Sequence, residues 1–415
     1  MTSEQLTESQ APPFFSIVIP SYNNAGYLRK CILSLQKQNF SEWEAVIVID
    51  ASPDNAFYVA SELSEVDKRI KVINKEKNEG THLARKSGVA RARGQYTLFL
   101  DADDELTDNA LSSLADLASL YSFDILHFGT ELFGEEMPAS TCSDILQLST
   151  VICPRCINPR LLFLLSRPAR IIVRIGVILQ RLYRTDLLKR AFSLMTGSRL
   201  GRGQDSYEWL VIASLANTEI FHNEMIGYRY YLGRGITTFK PMSKQQFAAL
   251  STNYANLIRV AFDYASKFST FDLMPCVHEL HRRLLEMLFG DWYVRLSDKD
   301  KLTTLTDLRD SFTREDIATE LMRLTRDDAY SHWDAGDVFD VNARYVQWKQ
   351  IAEELMGASS NKQYELYRSQ VLRHFLDLQT RNSMANRTIR PSSRNLLSIF
   401  HPFMPLFRSI KRKNK

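Results

Sequence analysis

The sequence lacks several features that would assign a chain to a class at once. It has five cysteines, an odd number without framework spacing, which favours a reducing compartment. No run approaches the roughly 18 uncharged apolar residues of a membrane-spanning helix. The first stretch, MTSEQLTESQAPPFF, has neither the basic start nor the apolar core of a signal peptide. We therefore expect a cytoplasmic protein, or one bound peripherally to the cytoplasmic face of the inner membrane.

Signatures of other enzyme classes are missing too. The sequence contains no G-x-x-x-x-G-K-[ST] loop and no G-x-S-x-G elbow, which excludes a typical P-loop kinase or serine hydrolase. A formal net charge of +4 is too small to indicate nucleic acid as a partner. With 415 residues, 45% of them hydrophobic, the chain is long enough for two or three domains.

Short apolar runs alternate with amphipathic helical segments in the first part of the chain. The runs are SIVIP, WEAVIVID, IKVINKE and YTLFLD, and each is nearly continuous in apolar residues. Such runs predict a mostly parallel sheet with helices on both faces. Beyond about Ser243 the pattern is almost entirely helical.

Polar residues follow three of the predicted strands. They are Pro20-Ser21-Tyr22, Asp50, and the acids within residues 101–104. Ligands of parallel α/β sheets bind beyond the carboxyl ends of the strands, so these residues predict one converging site. Two alternatives stay open: the acids cap a helix that begins near Leu106, or ASPDN is only a strand-exit turn.

These stretches, with GQDSYEWLVIASLA and IGYRYYLGRGITT downstream, resemble glycosyltransferase family 2, whose members are inverting enzymes with the GT-A nucleotide-sugar fold. The resemblance spans residues 14–240. It implies a Rossmann-like GT-A fold with a C-terminal helical region. The expected domains are a disordered N-terminus (1–13), a nucleotide-binding half (14–105), an acceptor half (106–240), a helical domain (241–390) and a basic amphipathic tail (391–415).

The resemblance also implies a donor site. A sugar nucleotide leaves a diphosphate, and a Mn²⁺ or Mg²⁺ ion on carboxylate oxygens would neutralise its charge. By this resemblance Asp103 is a metal ligand, and Asp101 contacts the ribose or the metal's shell. The residues expected to bind the nucleotide are Pro20, Ser21, Tyr22, Asp50 and Arg85. The family's usual Asp-Asp-Gly-Ser turn reads Ile49-Asp50-Ala51-Ser52 here.

An inverting transfer needs a base for the acceptor hydroxyl. The family's Glu-Asp pair is Gln204-Asp205 in this chain, so Asp205 is the expected base, with capping of its helix as the alternative. Tyr230, Arg234 and Thr237 are further candidates for contacts to phosphates or acceptor.

The function implied is transfer from a UDP-sugar to a glycan or lipid-linked glycan in bacterial capsule or lipopolysaccharide biosynthesis. The alternative is a catalytically silent GT-A scaffold. The C-terminal tail RNLLSIFHPFMPLFRSIKRKNK combines apolar and basic residues, which suits an anionic membrane surface. The helical region is compatible with acceptor binding, homo-oligomerisation or membrane docking.

Overall fold

The computed structural model describes residues 11–134, 156–157, 178–234 and 240–385. The predicted basic tail, and all but the end of the predicted disordered N-terminus, lie outside these residues. The chain divides into two compact units: residues 1–238 with 259–279, and residues 239–258 with 280–415.

The first unit begins with the strands and helices that the apolar runs predict. The strands are β1 (Phe15–Ser21), β2 (Trp43–Ile49), β3 (Ile70–Asn74) and β4 (Tyr96–Phe99), and the helices between them are α1 (Ala25–Gln36), α2 (Ala56–Val66) and α3 (Thr81–Arg91). The strands pair in parallel in the order β3-β2-β1-β4. Every position of β1 and β2 is buried, as expected for strands that are covered on both faces.

The sheet continues with strands of mixed direction. The elements are β5 (Glu105–Leu106), α4 (Ala110–Leu120), β6 (Ile125–Gly134), β7 (Cys156–Ile157), β8 (Arg181–Arg184), α5 (Thr185–Leu194), α6 (Gln204–Leu215) and β9 (Glu219–Leu232). Strand β8 lies between β4 and β6 and is antiparallel to both, whereas β6 and β9 are parallel. The α/β class is confirmed, and the sheet is mixed beyond β4.

Two segments differ from their predicted secondary structure. The pattern of RLYRTDLLKRAF predicts one helix, but its first four residues form β8. Arg181 is buried there, with its Nε 2.8 Å from the Glu219 carboxylate and its guanidinium over the Trp209 ring. By the family resemblance GYRYYL belongs to a loop that closes the site, but it is the end of the long strand β9. In both cases the polar residues of the segment interrupt the apolar pattern that predicts a strand.

A glycine brings α3 close to the sheet. A Cβ on Gly88 would lie 2.4 Å from Val18 Cγ1 and 3.3 Å from Val48 Cγ2. Only a residue without a side chain allows this approach. The close packing fixes α3, which carries His82 and Arg85, over β1 and β2.

The second unit is helical, as predicted. The helices, two of which extend into the first unit, are α7 (Lys244–Lys267), α8 (Met274–Arg295), α9 (Asp298–Asp307), α10 (Arg314–Asp334), α11 (Arg344–Met356) and α12 (Lys362–Ala385). Thr313 and Asp316 form a capping box at the start of α10. Ala329, Tyr345 and Leu378, from α10, α11 and α12, pack in one apolar cluster.

Among the residues that the structure describes, no helix combines the length and the apolar composition needed to cross a bilayer.

Candidate active site

The carboxyl ends of three adjacent parallel strands carry the polar residues singled out in the sequence. Ser21 ends β1, Asp50 follows β2, and Asp101 comes shortly after β4. Because β2, β1 and β4 are neighbours in the sheet, these residues emerge at one edge. The structure thus brings the three strand ends together as expected.

The residues at the end of β1 differ in exposure. Pro20 and Ser21 are buried, and the Ser21 hydroxyl has no hydrogen-bond partner. The Tyr22 side chain is 48% exposed, so its ring is open to solvent beside the buried strand end. An exposed ring at this edge is available for contact with a ligand.

The Asp50 carboxylate is occupied by the chain itself. It accepts the backbone N–H groups of Glu79 (3.0 Å) and Gly80 (2.6 Å), and Lys75 Nζ lies 3.6 Å away. These contacts fix the loop that leads into α3. The contact of Asp50 with a nucleotide base remains a prediction. Its carboxylate already accepts two backbone N–H groups.

Asp104 is buried and binds strand β9. It is 2% exposed and accepts the Tyr228 hydroxyl (2.8 Å) and the backbone N–H of Tyr231 (2.8 Å), both on β9. Asn109 precedes the next helix, whose first turn contains no acid. The alternative in which these acids cap a helix near Leu106 is therefore wrong, because Leu106 lies in β5 and Asp104 binds β9.

Asp101 and Asp103 are close enough to repel each other. Burial and the Asp101 carboxylate raise the pKa of Asp103 to about 6, while Arg234 acts in the opposite direction. Arg234 also donates to the carbonyl of Asp103 (3.3 Å), and its guanidinium lies 3.6 Å from the centre of the Tyr231 ring. This part of the edge concentrates negative charge.

Arg85 binds the acidic cluster from α3. Its Nη2 donates to Asp101 Oδ1 (3.0 Å) and its Nη1 donates to Glu208 Oε2 (3.1 Å), while its Nε has no partner. Burial lowers the pKa of Arg85, but the two carboxylates outweigh it and raise the pKa above its usual value. The guanidinium is 2% exposed, so it holds Asp101 from inside the protein.

Asp205 is the second residue of α6. Its Oδ1 accepts the backbone N–H of Ser206 (3.0 Å), so the carboxylate does bind the helix start, although Gly203 occupies the cap position. Burial raises the pKa of Asp205 to about 7, with Arg85 lowering it and Glu208 raising it. A carboxyl group that titrates near neutral pH is suited to proton transfer.

Tyr230 faces the same acids. Burial and the charges of the acidic groups, Asp104 first, raise the pKa of its hydroxyl above the usual range, with Asp101, Asp103 and Asp205 contributing to the shift. Tyr230 therefore lies within electrostatic range of both the metal-site candidates and the candidate base. Thr237 lies outside the described residues.

The Asp101–Asp103 pair remains the predicted site of a divalent cation. The elevated pKa of Asp103 shows a carboxylate whose negative charge lacks sufficient compensation. Within the described parts of the chain no group of three or more His, Cys, Asp or Glu residues could hold a metal ion. A pair of carboxylates suits Mg²⁺ or Mn²⁺, which commonly take one or two protein carboxylates and complete their shell with substrate phosphates and water.

Sequence reasoning missed His82 and Glu208. Both are fully buried, and His82 Nδ1 lies 2.9 Å from Glu208 Oε1. Glu208 is the only acid within the buried run Ser206–Ser214. A lone acid in an otherwise apolar run signals a buried cationic partner, and that signal was available in the sequence.

Comparisons with known proteins agree with this fold. The model of "Glycosyl transferase family 2" matches residues 16–139. The chain is 37% identical over 93 residues to a putative teichuronic acid biosynthesis glycosyltransferase, TuaG, of Bacillus subtilis (22% of this chain, 37% of TuaG). It is 35% identical over 108 residues to a GalNAc(5)-diNAcBac-PP-undecaprenol beta-1,3-glucosyltransferase of Campylobacter jejuni (26% of this chain, 35% of the relative).

The similarity to solved structures extends further along the chain. The crystal structure of S. aureus TarS 1-349 in complex with UDP has a TM-score of 0.52 and 16% identity, covering 92% of this chain and 94% of TarS 1-349. The sequence matches span only about a third of the length of the curated relatives. Residues 16–139, which contain the motifs of β1 to β4, thus match the model of glycosyl transferase family 2, and the fold is of the GT-A type.

Proposed function

We propose that the chain transfers a sugar from a nucleoside diphosphate sugar to a glycan or lipid-linked glycan, with inversion at the anomeric carbon. One observation carries this: Arg85 binds Asp101, the charges of Asp101 and Asp205 both act on Arg85 and Tyr230, and burial raises the pKa of Asp205 to about 7. This arrangement offers both a site for a cation and a base.

The donor side is assigned to the strand ends. Asp101 and Asp103 would hold a Mn²⁺ or Mg²⁺ ion, whose charge would neutralise that of the departing diphosphate. Tyr22, with Pro20 and Ser21 beneath it, supports the nucleotide base. Arg85 acts from inside by orienting Asp101, which its Nη2 contacts at 3.0 Å.

The acceptor side is assigned to Asp205. As a carboxylate it takes the proton of the acceptor hydroxyl while that oxygen attacks the anomeric carbon. Its raised pKa makes it a stronger base than an ordinary carboxylate. Tyr230, beside it, is placed to contact the donor or the acceptor.

Similar proteins suggest the donor and the setting. TarS was solved with UDP and with UDP-GlcNAc, which makes UDP-sugars the donors to test first. Two relatives are named for teichuronic acid biosynthesis and for an undecaprenol-linked acceptor. We therefore place the activity in bacterial cell-surface polysaccharide biosynthesis, at the cytoplasmic face of the membrane, with homo-oligomers as a further element of the proposal.

The test is release of UDP from a panel of UDP-sugars by the purified full chain, with Mn²⁺, Mg²⁺ or EDTA. We expect turnover only with the metal, and a loss of about 10²–10⁴-fold in Asp205→Asn. Asp103→Asn should lose the response to metal.

Asp186→Asn is a matched control, because Asp186 is the second residue of α5 and its Oδ1 accepts the N–H of Leu187 (2.8 Å), as Asp205 does in α6. Its side chain is exposed and distant in sequence from the acidic cluster, so normal turnover is expected. If no donor is consumed and the Asp103 and Asp205 variants behave like the wild type in cells, the chain is a catalytically silent scaffold.

A further inference from the structure

A buried histidine and glutamate link the two halves of the site. His82, on α3, lies between Glu208 Oε1 (2.9 Å from Nδ1) and the carbonyl of Thr196 (3.1 Å from Nε2). A carbonyl only accepts, so Nε2 carries a hydrogen. The contact between Nδ1 and Glu208 Oε1 also requires a proton, so one hydrogen bond joins the imidazole to the carboxyl group.

The same glutamate continues toward the acidic cluster. Glu208 Oε2 accepts Arg85 Nη1 (3.1 Å), and Arg85 Nη2 donates to Asp101 Oδ1 (3.0 Å). Proton donors and carboxylates therefore alternate in this series of hydrogen bonds, which runs from His82 through Glu208 and Arg85 to Asp101. The first three of these side chains are at most 3% exposed, and Asp101 is 29% exposed.

We propose that His82 and Glu208 are positioning residues that set how strongly Arg85 binds Asp101, and so how well Asp101 serves a divalent cation. The proposal rests on the proposed function, because it assumes that Asp101 and Asp103 bind that cation. Glu208 lies in α6, whose second residue is Asp205, so one side chain connects the candidate base's helix with the donor side.

The direction of the effect follows from charge. With Glu208 replaced by glutamine, Asp101 becomes the main counter-ion of the buried guanidinium, and the competition with a metal ion for that carboxylate increases. Removal of one negative charge also weakens the attraction for a cation. Both changes lower the affinity for the metal ion. Substitution of residues that hold the metal ligands in place typically lowers that affinity 10–100-fold.

The experiment is a Mn²⁺ titration of the full chain in the presence of UDP, followed by electron paramagnetic resonance, with thermal unfolding measured in parallel. We expect Glu208→Gln to weaken Mn²⁺ binding at least tenfold. His82→Leu removes both hydrogen bonds and should weaken binding similarly. His82→Asn keeps a donor near the Nδ1 position and should recover most of the affinity.

Glu44→Gln is the matched control. Glu44 is 2% exposed and binds Ser16 Oγ (2.7 Å) and Arg93 Nη2 (2.9 Å), but it lies near the amino end of β2, opposite the acidic cluster. It should lose stability without losing Mn²⁺ affinity. If Glu208→Gln does not fold, the His82 variants provide the test.

The outcomes are distinct. Wild-type affinity in Glu208→Gln and His82→Leu, with a wild-type chain that binds Mn²⁺ and UDP, would overturn the positioning role and leave the proposed function standing. A wild-type chain that binds neither Mn²⁺ nor UDP would overturn both.

Discussion

Asp205 is the residue whose ionisation should govern the rate. The groups that face it are Arg85 from α3, Asp101 after β4, Tyr230 from β9 and Glu208 on its own helix. Burial raises its pKa to about 7, with Glu208 and Asp101 adding to the shift and Arg85 opposing it. A base works only when it is deprotonated, so activity should increase as the pH rises through this value.

We therefore predict that kcat/KM for the donor rises about tenfold per pH unit below pH 7 and levels off above it, since kcat/KM reports the free enzyme. A pH series from 5 to 9 at fixed ionic strength measures this. Asp205→Asn should lower kcat/KM and abolish its rise below pH 7, whereas Asp186→Asn should leave that rise unchanged. An unchanged limb in Asp205→Asn would assign the titration to another group.

Ala51 is a second residue with a measurable consequence. It has a φ of 50°, in the left-handed region, at the position where the related turn carries glycine. An L-residue in this region lowers the free energy of unfolding by about 1–2 kcal/mol. Replacement by glycine removes this cost, but the greater entropy of glycine in the unfolded chain cancels part of the gain. The sequence indicated the missing glycine, but only the backbone shows that Ala51 adopts a conformation that favours glycine.

We predict that Ala51→Gly raises the free energy of unfolding by up to about 1 kcal/mol. Urea denaturation of both chains measures the change. Ala118→Gly, within α4, is the control and should lower the stability by about 1 kcal/mol, because there the residue is helical. If Ala51→Gly lowered the free energy of unfolding as much as the control does, the backbone at Ala51 would not be strained.

At the scale of elements, the contact between α3 and β1 decides where Arg85 and His82 lie. Gly88→Ala would place a methyl group 2.4 Å from Val18 Cγ1. We predict a loss of about 1–3 kcal/mol, as for other overpacked cores, and weaker Mn²⁺ binding because α3 must move. Calorimetric unfolding and the Mn²⁺ titration measure the two effects.

Gly26→Ala is the paired control for this helix contact. Gly26 is also helical, in α1, but a Cβ there has no atom within 4 Å. This substitution should stabilise the chain by up to about 1 kcal/mol. Equal effects of the two substitutions would show that the close approach of α3 is unimportant.

Elements also show what the sequence could and could not predict. The runs that became β1, β2 and β4 are buried at every position, so the apolar pattern alone specified them. Strand β8 was missed because Arg181 is paired with Glu219 inside the protein, and a buried ion pair has the appearance of a polar helix face. The Arg85–Glu208 contact joins residues 123 positions apart, which no local pattern reports.

At the scale of the whole molecule, the charge distribution suggests where the protein works. Residues 391–415 contain no acid and carry Arg394, Arg408, Lys411, Arg412, Lys413 and Lys415. Each basic residue near an anionic surface contributes about 1 kcal/mol of attraction. These residues lie outside the described part of the structure, so membrane association is argued from their composition alone.

We predict that the full chain co-sediments with phosphatidylglycerol vesicles and that a chain ending at Ala385 does so much less. Binding should weaken from 50 to 500 mM salt, because the attraction is electrostatic. Phosphatidylcholine vesicles are the lipid control. Equal co-sedimentation of both chains would place the membrane contact elsewhere or remove it.

The span of the Arg85–Glu208 bond limits how this protein can be recombined with its relatives. The segment that matches the family ends at residue 139, whereas Glu208 lies in α6. A relative that receives only residues 16–139 of this chain would gain the Arg85 guanidinium without the Glu208 carboxylate. Donor preference should therefore be transferable only when α6 is exchanged together with that segment.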